Sequence, residues 1–315
     1  MTRSGPRRGL PIPDQVTAKA ALGPPWAAWV GRLPRLAAEL VEQWRLTPEP
    51  GEPGVGFCSV VFPVRTEDGV PAMLKISLPD EESEHEHLAL RHWAGRGTVL
   101  LLAADPHRRA LLLERLHSRD LRSVPDLEAC AIIAGRYSRL HVPAPPPLQE
   151  LTAYVGRQLD RLAALPREAP VPRRMVEQAL HAGRALAGDP ASTGVLVHGD
   201  LHVENVLAAD REPWLVIDPK PMSGDPHYEP APVLWNRWEE VVPGGDVRGT
   251  LRRRFHTLVD VAGLEEARAR DWVVVRMVLN AADTLQEALV HGRALDAGER
   301  DWLTLCVAIV KAVQD

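Results

Sequence analysis

Apolar positions recur at helical spacing from Trp26 to Trp44, through Trp29, Leu33, Leu36, Leu40 and Val41, which predicts an amphipathic helix. The Pro/Gly-rich stretch Pro48–Gly56 breaks that period. Two β-branched runs follow, Ser59–Val64 and Pro71–Ser77, joined by the turn sequence Thr66-Glu-Asp-Gly69, so a hairpin is expected. A helix is predicted over 80–96, then short strands over 98–103 and 110–114 around the turn-like Asp105-Pro-His-Arg108. Beyond residue 117 the period is helical, with helices expected near 125–141, 150–165, 172–188, 246–259, 265–290 and 298–313. A β-rich patch interrupts them at Gly194–Asp218, and Pro143–Pro147 reads as a stiff connector. The expected fold class is therefore α+β: a tail over 1–15, a small antiparallel sheet with one inserted helix over 16–116, and a mainly helical lobe over 117–315. Two lobes imply a cleft between them.

Composition narrows the function. Of 315 residues, 37 are basic and 42 acidic, leaving a net charge of −5, which argues against a nucleic-acid partner. No apolar run is long enough to span a bilayer, and the N-terminus has no apolar signal core. The cysteines Cys58, Cys130 and Cys306 show no paired ligand spacing, and a reducing cytoplasm is the simplest setting. Only four basic residues are lysine (Lys19, Lys75, Lys220 and Lys311), so each lysine raises the question of a specific chemical need.

Chemistry concentrates in Val197-His-Gly-Asp-Leu-His-Val-Glu-Asn-Val-Leu207 and Trp214-Leu-Val-Ile-Asp-Pro-Lys220. Two apolar strands bracket a loop carrying Asp200 and, five residues on, Asn205; the second strand ends on Asp218. Two carboxylates and an amide oxygen from adjacent strand ends are hard donors suited to Mg²⁺. Phosphoryl transfer needs such a set, one carboxylate for the nucleophile and an Asn and an Asp for metal on the phosphates.

These motifs resemble those of the aminoglycoside phosphotransferases, which share the protein-kinase-like fold. His198-Gly-Asp-Leu-His-Val-Glu-Asn205 is similar to the kinase catalytic loop with His-Gly in place of His-Arg, and Asp218-Pro-Lys stands where kinases have Asp-Phe-Gly. The longer string Leu207–Pro226 resembles the streptomycin 6-phosphotransferase and hydroxyurea phosphotransferase group. The resemblance implies ATP and Mg²⁺ as cofactors and a small-molecule hydroxyl as acceptor, with streptomycin first. A monomer or weak homodimer is expected, with ATP against GTP left open. A metabolite kinase and a nucleotide-binding pseudokinase are the alternatives; an Ala-Pro-Glu activation segment is missing, which disfavours a protein kinase.

Carried over by residue, the resemblance makes Asp200 the catalytic carboxylate, Asn205 and Asp218 the metal ligands, and Lys75 the phosphate contact, paired with a helix glutamate. Glu86 is the choice and Glu82, one helical turn earlier, the alternative. Glu114 and Leu116 would offer backbone groups to adenine. Gly51–Gly56 precedes a strand as a phosphate-covering loop would, but departs from G-x-G-x-x-G and reads equally as a connector. The role of Lys220 stays open. Asp225, Glu229, Trp235, Glu239, Asp283 and Glu287 are the acceptor-pocket candidates, since acidic and aromatic walls suit a cationic sugar; Asp225 or Glu229 would alternatively brace the catalytic loop. His198 and His202 read as structural.

Overall fold

The computed structural model describes residues 10–314. Contacts divide the chain into two compact units, the first ending at His117 and the second beginning at Ser118.

The first unit opens with the short helix α1 (Asp14–Thr17) and a 3₁₀ turn, followed by α2 (Pro24–Gln43). The strands are β1 (Thr47–Pro48), β2 (Gly54–Val55), β3 (Ser59–Arg65), β4 (Pro71–Ser77), β5 (Leu101–Asp105) and β6 (Ala110–Glu114), with α3 (Glu86–Trp93) between β4 and β5. The sheet order is β1-β3-β4-β6-β5, with β2 on β3, and every pairing is antiparallel. Period-2 alternation sends Ala72, Leu74 and Ile76 of β4 to one face, where they pack in one core with Trp29, Leu33, Ala37 and Leu40 of α2. Lys75 therefore points to the other face. The loop Thr66–Val70 closes the β3–β4 hairpin, with Gly69 at φ +82°.

Three expectations change here. The first nine residues of the expected tail lie outside the described residues, and the rest is not a tail, because Leu10 and Ile12 pack against the α2 core and α1 begins at Asp14. The helix expected from residue 80 starts only at Glu86. Asp80 Oδ1 accepts from the Ser83 N–H at 2.7 Å, and the Glu86 N–H returns to the Ser83 carbonyl, which holds the preceding residues in turns. The strand expected at 98–103 runs two to three residues later and carries an irregularity between Leu101 and Ala103.

The second unit is mainly helical: α4 (Asp126–Leu140), α5 (Leu151–Ala163), α6 (Arg173–Ala187), α7 (Ala231–Trp235), α8 (Trp238–Val241), α9 (Val247–Ala262), α10 (Glu266–Val290) and α11 (Ala297–Gln314). Helix α10 packs against α5, α6, α7, α9 and α11, and its run Trp272–Leu279 is buried throughout, so it serves as the central post. Five short strands, β7 (Gln149–Glu150), β8 (Val195–Val197), β9 (Val206–Ala208), β10 (Trp214–Val216) and β11 (Met222–Gly224), form two small sheets. In one, β11 lies between β7 and β8; in the other, β9 pairs with β10 so that Val206 faces Val216. This second pairing brings residues 205 and 217 together across 12 positions of sequence. Among the described residues no helix is long and apolar enough to cross a membrane.

Candidate active site

In the first unit the central feature is the Lys75–Glu86 pair. Lys75 sits mid-strand between β3 and β6, and its Nζ lies 2.7 Å from both carboxylate oxygens of Glu86. Both residues are buried, at 5% and 2% exposure. Burial of either charge alone is prohibitive, so each holds the other in place. Glu82 lies in the turn before α3, not one helical turn back on the same face. At the end of β6 the Glu114 Oε2 accepts from the Leu100 N–H, and the Glu114 N–H donates to the Leu100 carbonyl. Leu116 follows with neither N–H nor carbonyl hydrogen-bonded among the described residues. The Pro/Gly segment forms a tight β2–β3 hairpin closed by the Gly56 N–H to the Ser59 carbonyl. Lys19, unassigned by sequence reasoning, donates to the Gly56 and Phe57 carbonyls at that tip.

In the second unit β8 delivers His198, Gly199 and Asp200, and β10 delivers Ile217 and Asp218. His198 is fully buried. Its Nδ1 accepts from the Asp200 N–H at 3.2 Å, which puts the ring proton on Nε2, 2.9 Å from the Ile217 carbonyl. Burial pulls the imidazole pKa below its ordinary value, so His198 is a neutral strut between the two strand ends. Glu229, 0% exposed, accepts the N–H groups of both His198 and Gly199. Burial pushes its carboxyl up, but His141, His198 and these donors pull harder and hold it below the usual range.

Gly199 is required by space. It adopts φ +79°, and a Cβ there would lie 2.3 Å from the Lys220 carbonyl oxygen. The Lys220 N–H meanwhile donates to the His198 carbonyl, so this crossing is fixed. Gly199→Ala is expected to displace the Lys220 backbone and lower kcat by about 10²-fold, the cost of roughly 1 Å of misplacement; wild-type kcat in a folded variant would show that the crossing yields freely.

Asp200 presents its carboxylate 3.1 Å from Lys220 Nζ. The Asn205 Nδ2 donates to the Asp200 carbonyl at 2.8 Å, and the Ile217 N–H donates to the Asn205 carbonyl. Asp218 takes φ +57°, a left-handed conformation uncommon outside Gly, Asn and Asp. The loop thus carries Asp200, Asn205 and Asp218, the residues expected to share a phosphoryl-transfer site, and brings Lys220, whose role was open, against Asp200.

The sequence comparisons agree with this geometry. The family described as aminoglycoside/hydroxyurea antibiotic resistance kinase matches residues 43–288. The chain belongs to this family. It is 41% identical to a streptomycin 6-kinase of Streptomyces glaucescens, over 86% of this chain and 89% of that one. It is 40% identical to a hydroxyurea phosphotransferase of Kitasatospora aureofaciens, over 80% of this chain and 73% of that one. The fold is that of the aminoglycoside phosphotransferase APH(4)-Ia solved with ADP and hygromycin B, at TM-score 0.55 and 19% identity over 87% of this chain and 97% of that one. The α+β, protein-kinase-like class expected from the sequence is therefore observed, and the chain is an enzyme of the kinase type.

For an antibiotic resistance kinase the donor set suits a divalent cation. With the Asn205 Nδ2 donating to the Asp200 carbonyl, its Oδ1 could serve a metal together with the Asp218 carboxylate. One carboxylate and one amide oxygen are a typical protein share for Mg²⁺ when phosphates supply the rest. Among the described residues no cluster of three or more His, Cys, Asp or Glu forms an all-protein metal cage.

The acceptor-pocket candidates separate. Trp235 is half-buried, edge-on to Trp302 with ring centroids 5.9 Å apart. Asp283 is half-buried and Glu239 exposed. Glu287 is likewise exposed, 3.7 Å from Arg293. Two others are corrected. Glu229 is the brace described above. Asp225 is 1% exposed and accepts from His227, from Arg268 Nε at 2.6 Å and from Trp272 Nε1 at 2.7 Å, which leaves it no acceptor to meet. Sequence reasoning missed Arg268, which holds Asp225 from α10, and Arg276 on the same helix, because an arginine inside a helical period has no local signature.

Asp225 also predicts a pH dependence. Burial raises its carboxyl, yet the donors on His227, Trp272 and Arg268 bring it down to about 2, against about 3.9 in an unfolded chain. The folded state thus binds this proton less readily, so the stabilisation is complete above pH ~4 and lost as pH falls through ~2. It is worth about 2–3 kcal/mol. In urea unfolding, the gap between wild type and Asp225→Asn should be largest near neutrality and shrink towards pH 2; a gap independent of pH would assign the effect to packing.

Proposed function

We propose that the protein transfers the γ-phosphate of ATP, with Mg²⁺, to the 6-hydroxyl of streptomycin. The observation that carries this reading is the 41% identity to a streptomycin 6-kinase, over 86% of this chain. In this reading Asp200 orients the acceptor hydroxyl and takes its proton as the new O–P bond forms and the bond to the β-phosphate oxygen breaks, releasing ADP. Asn205 and Asp218 hold the Mg²⁺, which neutralises phosphate charge. Lys75, kept in place by Glu86, contacts the phosphates, and Lys220 adds positive charge beside Asp200. The backbone of Glu114 and Leu116 serves adenine. Half-buried Trp235 and Asp283, with exposed Glu239, supply the aromatic and acidic character that a guanidinium-bearing sugar suits.

A coupled ADP-release assay with streptomycin, hydroxyurea and ethanolamine tests this, with the product's phosphate located by NMR. Streptomycin is expected to give the highest kcat/KM, with phosphate on the 6-hydroxyl. Preference for hydroxyurea, whose phosphotransferase is 40% identical, or transfer to another hydroxyl would overturn it.

A further inference from the structure

Arg276 is a charge that fold stability alone does not explain. It lies in the middle of α10 at 8% exposure, and among the described residues no carboxylate is within ion-pair distance of it. Its guanidinium instead forks onto two backbone carbonyls, Nη2 to Gly199 at 2.5 Å and Nη1 to Tyr228 at 3.3 Å. Two aromatic rings take its charge, Tyr228 with the centroid at 4.2 Å and Trp235 at 5.1 Å. A planar fork that bonds at its edge while its face meets rings is a use of arginine that lysine cannot reproduce.

The carbonyl it holds belongs to the peptide between Gly199 and Asp200. The other end of that peptide, the Asp200 N–H, is held by His198 Nδ1. Gly199 must be glycine because of the Lys220 crossing, and glycine leaves the adjoining peptide free to rotate. Rotation would swing the Asp200 carboxylate away from its position. Arg276 and His198, clamping the two ends, remove the freedom that the glycine introduces. The same guanidinium seats Trp235, one of the acceptor-wall residues.

We propose that Arg276 is a positioning residue for catalysis: it fixes the Gly199–Asp200 peptide, and through it the Asp200 carboxylate, against the ring of Trp235. The inference rests on the reading of Asp200 as the carboxylate that receives the acceptor proton.

The test compares Arg276→Met and Arg276→Lys with wild type, and repeats both substitutions in an Asp200→Asn background. Turnover is followed with streptomycin and, in parallel, as ATP hydrolysis with water as acceptor. Binding of a non-hydrolysable ATP analogue is measured on each protein. Arg276→Met is expected to lower kcat by about 10²-fold, as for a misplaced catalytic group, with analogue affinity within about twofold of wild type. Arg276→Lys, which keeps one hydrogen bond to Gly199, should recover part of the loss, and it decides the matter if the methionine variant fails to fold. In the Asp200→Asn background the same substitutions should change the residual rate less than twofold, because the group being positioned has gone. Unchanged kcat in a folded Arg276 variant, or an equal loss in both backgrounds, would overturn the proposal. Wild-type ATP hydrolysis without streptomycin turnover would sink the acceptor reading and leave the Arg276 comparison intact.

Discussion

Replacing Asp200 with alanine is expected to lower kcat by about 10³-fold or more, within the range that general-base catalysis supplies, while nucleotide affinity stays within about twofold. The carboxylate is on a loop, its side chain 18% exposed, and its ion-pair partner Lys220 is 42% exposed. Such a pair contributes little to stability, about 0–1 kcal/mol, so the variant should fold and the loss should be kinetic. The backbone around Asp200 is tied by His198 and Asn205 independently of its side chain. Asn205 and Asp218 would still hold the metal, which is why binding should survive. Calorimetry with a non-hydrolysable ATP analogue and single-turnover kinetics separate the two quantities. A variant that retains wild-type kcat rejects the assignment, and one that loses nucleotide binding as well moves Asp200 into the binding site.

Glu86→Ala should be the most destabilising single change at the site. It leaves Lys75 buried with its carboxylate removed, and breaking a buried pair in this way costs about 3–5 kcal/mol. Denaturant unfolding should register that loss, and activity should fall with it. The double variant Lys75→Met/Glu86→Leu is informative because the two effects then part. Replacing both charges by apolar side chains of similar size should restore most of the stability, whereas turnover should stay low because no cation remains in β4 for the phosphates. A double variant with wild-type kcat would remove Lys75 from the chemistry altogether.

Much of the site could be read from the chain because its chemistry lies in short local patterns. Asp200 and Asn205 are five residues apart on one loop, and Asp218 closes the next strand, so spacing alone suggested a shared task. Lys75 was conspicuous as a charge in an apolar strand of a chain that otherwise uses arginine. The helical and extended periods located the elements, with errors where side chains compete with the backbone. Asp80 captures a turn ahead of α3, and this delays the helix and takes Glu82 off the expected face. Residues 10–15 looked like part of a polar tail, yet Leu10 and Ile12 pack against the α2 core, a contact that no local pattern announces.

What the amino-acid sequence determined by itself is the set of reactive groups and the class of fold that carries them, because both are written in local periodicity and in motifs a few residues long. Which carboxylates are buried as braces and which stand open was decided by the tertiary structure. Asp225 and Glu229 had the right chemistry for an acceptor wall, but burial and donors from distant elements turn them into braces. Arg276 was one residue of an expected helix until folding put its guanidinium on Gly199, 77 positions earlier in the chain. Burial and hydrogen-bond partners are properties of neighbours in space, and only the folded chain brings those neighbours together.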